Sequence, residues 1–163
     1  MNKIIIIGCP GSGKSTFAKK LSKALGLTLF HLDSIWHKPD RTHISREEFD
    51  NRLDQIMQGD KWIIDGNYSR TLERRIEGCD TVFFFDLSTE TCLQGAKERV
   101  GKQRSDMPWF DTTLSAELEN EILSFRENTR PIIYSIIEKQ RGIKSIFIFT
   151  DRKQADDFIL QII

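Results

Sequence analysis

Two hydrophobic periods take turns along this chain. Ile4 to Ile7 form a continuous β-branched run, the pattern of a strand buried on both faces of a parallel sheet. Phe17, Leu21, Ala24 and Leu25 then recur at helical spacing, predicting a helix over about 14–25 that Gly26 ends. Residues 27–32 read as a second strand, followed by a loop holding Trp36, His37, Lys38 and Pro39. Ser45-Arg46-Glu47-Glu48 has the form of a capping box. The helix after it turns Phe49, Leu53, Ile56 and Met57 inward. Residues 62–65 predict a third strand, 70–77 a short helix and 81–86 a fourth, buried strand. A helix over 89–100 brings Leu93 and Ala96 inward, and a loop of Gly, Pro, Trp and charged residues covers about 101–113. Leu114, Leu118, Ile122 and Phe125 mark another helix. Asn128 is expected to cap one more, holding Ile132, Ile133, Ile136 and Ile137 and ended by Gly142. Residues 145–149 form the fifth strand, and Asp151 to Gln154 open a last helix. Strands separated by helices throughout predict one doubly wound, parallel α/β domain over residues 1–163.

Composition narrows the partners. Lys+Arg and Asp+Glu are equal at 24 each, which is no footprint for a dedicated duplex-DNA or anionic-membrane binder. No stretch has the length of a membrane span, and no signal peptide is expected, because the first apolar run leads straight into a glycine-rich turn. Cys9, Cys79 and Cys92 have no metal-like spacing, so a reduced, cytoplasmic setting is expected.

That glycine-rich turn is Gly8-Cys9-Pro10-Gly11-Ser12-Gly13-Lys14-Ser15, followed by Thr16. It fits G-x-x-x-x-G-K-[ST] between a strand and a helix, the context in which the motif binds a nucleoside triphosphate. The glycines let backbone N–H groups approach phosphate oxygens. Lys14 can reach the β- and γ-phosphates and the Ser15 hydroxyl can ligate Mg²⁺, while the helix dipole points at the same phosphates. The expected ligands are therefore ATP and Mg²⁺. Cys9 is read as an inert variable position in the loop.

In such sheets ligands bind beyond the carboxyl ends of the strands. Asp65 stands at such an end and suits a magnesium water shell, or alternatively caps the turn with Gly66. Asp86 competes with it, unless it caps the next helix, for which Ser88 and Thr89 also qualify. Arg70 can clamp an anionic acceptor, or be a solvated helix arginine like Arg74 and Arg75. Asp33 can orient or deprotonate an acceptor hydroxyl, or be a turn carboxylate. Arg99 and Arg104 flank the 100–114 segment, which reads as a lid closing cations over a phosphoryl group in transit. Trp36, Tyr68 and Trp109 lie in loops at the same edge, where they either face a substrate or pack the loops. His31, His37 and His43 match no metal motif.

The phosphate loop, Asp65-Gly66, the arginine shortly after it and the arginine-flanked lid together resemble the adenylate-kinase-like branch of P-loop kinases. His31-Leu32-Asp33-Ser34-Ile35-Trp36-His37-Lys38-Pro39 and Arg104-Ser105-Asp106-Met107-Pro108 make the chain most similar to the small bacterial DNA topology modulation (FlaR-type) group. The resemblance implies a five-stranded parallel sheet in the order 2-3-1-4-5, ATP at Gly11 to Thr16 and an acceptor anion at Arg70. It departs from adenylate kinases in its short lid, in the segment after the second strand and in one extra residue before Arg70. The expected function is Mg-ATP-dependent phosphoryl transfer to a nucleotide or small anionic metabolite. Lys14, Arg104, Arg99 and Asp33 are the expected catalytic residues, Ser15 and Asp65 hold the metal, and Asp33, Arg70, Tyr68 and Trp36 meet the acceptor. The alternative is a nucleotide-dependent regulator of DNA topology with little turnover.

Overall fold

A strand of four isoleucines loses most free energy if either face meets water, and it takes the centre of the sheet. In the computed structural model, which describes residues 1–162, β1 (Lys3–Gly8) lies between β3 (Trp62–Asp65) and β4 (Thr81–Phe85). β2 (Leu29–His31) and β5 (Ser145–Phe149) are the edges, giving the all-parallel order 2-3-1-4-5. This is the expected fold. In register, Ile6 pairs with Asp65 and Phe83, so the carboxyl ends of β1, β3 and β4 converge on one edge.

Helices α1 (Lys14–Leu25), α2 (Leu32–Trp36), α3 (Arg46–Gln58), α4 (Ser69–Gly78), α5 (Thr89–Arg99), α6 (Ala116–Ser124), α7 (Arg130–Glu138) and α8 (Arg152–Ile162) connect or flank the strands. The capping signals act as expected. Ser45 Oγ accepts the Glu48 N–H, Ser88 takes the cap position ahead of α5, and Asp151 accepts the Gln154 N–H at α8. Phe17 packs edge-on against Phe83, Phe85 and Phe149, fastening α1 to the sheet beneath the phosphate loop.

Two expectations are corrected. The second strand ends at His31, because its last pairing partner is Asp65, where β3 itself stops. The chain then winds into α2 and buries Leu32, instead of running as a loop to Trp36. Asn128 caps no helix. It lies in a π-helical turn, Phe125–Thr129, that carries α6 into α7. Pro131 has no N–H to donate to the preceding turn, and a widened turn there accommodates the lost bond.

The segment after β3 is held by a residue the sequence disguises. Arg75 lies on the inner face of α4 with Leu72 and Ile76 and is completely buried. Its guanidinium donates to the Gly66 carbonyl at 2.9 Å, to the Asn67 and Tyr68 carbonyls, and to Thr71 Oγ1 at 3.1 Å. Burial lowers its pKa to about 9, leaving it protonated at neutral pH. Tyr68, the residue before α4, sits in left-handed backbone at φ 40°, which costs a non-glycine residue roughly 1–2 kcal/mol. Removing the arginine leaves three carbonyls without their donor, so we expect Arg75→Met to lower unfolding free energy by about 3 kcal/mol. Denaturant melts monitored by tryptophan fluorescence measure this; a loss under ~0.5 kcal/mol would contradict the assigned role.

Candidate active site

The phosphate loop is fixed from three sides. Asn67 grips its start: Oδ1 accepts the Gly8 N–H and Nδ2 donates to the Gly8 carbonyl, both at 2.9 Å. Arg152, at the start of α8, donates to the Gly11 carbonyl at 3.0 Å and the Ser12 carbonyl at 3.3 Å. Helix α5 presses against its crown. A Cβ on Gly95 would collide with the Gly11 carbonyl and the Arg152 guanidinium, and one on Gly11 would collide with the Cys92 carbonyl. The two backbones therefore touch at a pair of glycines. Gly13 precedes α1 with φ 100°, and no side chain caps that helix, so its first N–H groups remain available to an anion. Cys9 is a free, buried thiol; a hydrogen bond with the Cys92 thiol, and then burial, push it well above the ordinary range. This fits an inert position.

Two cavities open on either side of Lys14. The first, about 420 Å³, is lined by Gly11, Gly13, Lys14, Ser15, Thr16, Arg99, Arg104 and Arg152 among others. The second, about 460 Å³, takes in Asp33, Trp36, His37, Asn67, Tyr68, Met107, Asp111 and Glu121, and shares only Lys14, Arg99 and Arg104 with the first. Three cations thus stand where the cavities meet. Of the remaining expected loop residues, Gly8 is pinned by Asn67, Pro10 borders the second cavity and Ser12 is buried, its Oγ without a partner among the described residues.

The lid-root arginines differ. Arg104 is paired with the buried Asp106, whose backbone carbonyl accepts Ser34 Oγ–H at 2.9 Å and so docks the lid on α2. Burial pushes the Asp106 pKa up, but the hydrogen bond and charge of Arg104 outweigh it and hold the pKa at about 2. Arg99 has no such commitment: its Nε is buried without a partner among the described residues, and burial and Arg104 lower its pKa.

Asp65 is 4% exposed; Oδ2 meets His31 Nδ1 at 2.8 Å, while Oδ1 has no partner among the described residues. Asp65 pairs in register with Ile6, two residues before the phosphate loop, and lines neither cavity; its orphaned oxygen and the Ser15 hydroxyl fit the sparse protein contribution typical of magnesium sites. Asp86 is spoken for: Arg130 binds it bidentately at 2.7 and 2.8 Å and Tyr134 donates to it at 2.8 Å.

On the second cavity, Tyr68 Oη donates to Asp33 Oδ1 at 2.9 Å, and burial, then the Asp33 charge, raise the phenol's pKa. Trp36 stacks on His43 and Tyr68 on Phe49, so each has one face committed to packing. Trp109 packs on His37 and lies under Arg41. Arg70 is not brought to either cavity. It forms a bidentate pair with Asp50 at 2.7 and 2.9 Å, on a side chain 46% exposed. Sequence reading missed Arg75, Asn67, Gly95 and Glu121. Arg75 was signalled by its spacing from Leu72 and Ile76, and Gly95 by its place inside a helix, where glycine costs about 1 kcal/mol. Asn67 and Glu121 carried no local signal.

The all-parallel 2-3-1-4-5 sheet with a phosphate loop after β1 is a P-loop kinase-like fold. The family model for "Chromatin associated protein KTI12" matches residues 1–74, which hold the phosphate loop and Asp65. An adenylate kinase of Mycolicibacterium smegmatis is 29% identical over 161 residues, covering 80% of this chain and 83% of that protein. Among solved structures, the deoxyadenosine kinase from M. mycoides with bound dATP has a TM-score of 0.56 at 18% identity, covering 97% of each chain. Shikimate kinase from Acinetobacter baumannii in complex with shikimate has a TM-score of 0.63 at 15% identity, covering 99% of this chain and 90% of that one. No helix among the described residues is long and apolar enough to cross a membrane.

Two measurements probe this geometry. Gly95→Ala must push α5 off the phosphate loop, so ATP affinity by calorimetry should fall at least about tenfold, with the fold intact by circular dichroism. Asp106 ordinarily titrates at 3.8 and here at about 2. A carboxyl with a depressed folded pKa contributes stability above the unfolded value, lost as pH falls through the folded one. Asp106→Asn should therefore flatten the stability–pH curve between those two values.

Proposed function

We propose that the protein is a cytosolic Mg-ATP-dependent kinase that phosphorylates a hydroxyl of a small molecule held in the second cavity. The observation that carries this reading is the meeting of two cavities at Lys14, Arg99 and Arg104, and at no other side chain. A γ-phosphoryl group moving between them develops charge at that junction, and preorganised cations there stabilise it without reorganisation. The α1 N-terminus and the loop's N–H groups hold the β- and γ-phosphates. Ser15 and Asp65 are the residues that would hold magnesium, which when bound neutralises phosphate charge.

In this reading Asp33 accepts the acceptor's hydroxyl proton. Tyr68 occupies its Oδ1 and fixes its direction, so Oδ2 is left to the substrate. The acceptor oxygen forms a bond to the γ-phosphorus, the bond from that phosphorus to the β–γ bridging oxygen breaks, and ADP leaves with the electron pair. Arg99, unpaired and rooted in α5, would carry more of the transition-state charge than Arg104, which must first leave Asp106. Arg70, expected at an acceptor anion, supports the α3–α4 contact instead. Closeness to the DNA topology modulation group rests on the 31–39 and 104–108 stretches together with the 65–70 segment.

The decisive assay is ADP release from Mg-ATP with nucleosides, nucleoside monophosphates, sugars and sugar acids as acceptors. Acceptor-dependent release should fall at least about 10²-fold in Lys14→Ala and in Arg99→Ala, less in Arg104→Ala, and cease with EDTA. Tight ATP binding with no acceptor-dependent release would reject the kinase reading. A salt-sensitive DNA affinity lost in Lys14→Ala would then support the regulator of DNA topology.

A further inference from the structure

We infer that the acceptor carries a positive charge, such as a protonated amine, and no phosphate or carboxylate; this assignment rests on the kinase reading for what happens at the cavity, though not for what binds there. With the three shared cations set aside, the wall of the second cavity holds Asp33, Glu121 and an Asp111 that Arg41 pairs from outside the wall at 3.3 Å, and no lysine or arginine of its own, so the carboxylates left to a ligand are Asp33 and Glu121. His37, the remaining basic side chain, has its pKa lowered by burial and is largely neutral at pH 7. Lys14, Arg99 and Arg104 also line the phosphate cavity, and phosphates from ATP would claim them.

No arginine from the neighbouring helix compensates. Arg70 is held by Asp50, Arg74 by Asp54 at 2.9 Å, and Arg75 is enclosed in its own loop. A monophosphate or a hydroxy acid seated here would place its charge against carboxylates with no cation of its own. A cation finds the reverse.

Glu121 marks where that charge would lie. It projects from α6 into the cleft, with no partner among the described residues to fix its carboxyl. Crowding in the cleft raises its pKa, Lys14 pulls it down and Asp33 adds to the rise. Once phosphates neutralise Lys14, Asp33 and Glu121 face the cavity together. Trp36 and Tyr68, which line the same cavity, bring aromatic rings suited to an organic cation. Asp33 thus serves the reacting hydroxyl, and Glu121 serves as a specificity residue for the amine.

The test separates charge selection from catalysis by using one skeleton in three charge states. Glucosamine, glucose and gluconate are titrated into the full chain saturated with Mg-ADP, with binding followed by ligand-observed NMR. The amine should bind about tenfold tighter than glucose, with gluconate weaker still. Glu121→Gln should erase most of the preference for the amine over glucose. Tighter binding of gluconate, or no preference for the amine, overturns the assignment. So does a preference that Glu121→Gln fails to move. Should the amine bind selectively while no acceptor drives Lys14-dependent ADP release, the kinase reading falls and the charge assignment stands. Efficient phosphorylation of AMP or gluconate has the opposite consequence.

Discussion

A full positive charge enclosed by protein is costly, on the order of several kcal/mol even after relaxation, and this fold spends one at Arg75. The guanidinium is tolerated because carbonyls of three consecutive residues, Gly66 to Tyr68, point their dipoles at it. What they receive is direction. With those carbonyls fixed, the Asn67 amide faces Gly8 and the Tyr68 phenol faces Asp33. One buried cation therefore aligns the phosphate loop on one side and Asp33 on the other. It also explains why the unfavourable backbone of Tyr68 persists, since the surrounding bonds over-determine it.

The sheet and the phosphate loop were legible in the chain because their signals are local. A run such as Ile4–Ile7 states its own burial, and a glycine-lysine-serine turn states its chemistry wherever it lies between a strand and a helix. The arginines of α4 were not legible in that way. Arg70, Arg74 and Arg75 lie within six residues; the spacing of Arg75 from Leu72 and Ile76 marks its face, but only the packed helix shows a buried guanidinium there while the other two meet α3 carboxylates. The same limit applies to Arg99 and Arg104. Their difference is set by Asp106, whose position depends on the folded lid. Asn128 failed as a helix start because its neighbours continue one helix through a widened turn, which a capping rule does not anticipate.

The electrostatic plan follows from this arrangement. Cations are concentrated at the seam between the cavities, and carboxylates are set back along the wall of the second. Asp65 and Asp86, equivalent at the ends of adjacent strands in sequence, separate by environment: one keeps an oxygen without a partner and the other is saturated by Arg130 and Tyr134.

Gly95 and Arg99 are one helical turn apart on the same face of α5. Because the first is in backbone contact with the phosphate loop, the second is positioned from that loop through the helix. The segment between Arg99 and α6 can thus lengthen, shorten or change its chemistry over generations without moving the arginine from the phosphate loop. Variation there is free to reshape the wall of the second cavity, which the segment lines at Met107 and Asp111, while the arginine keeps its place.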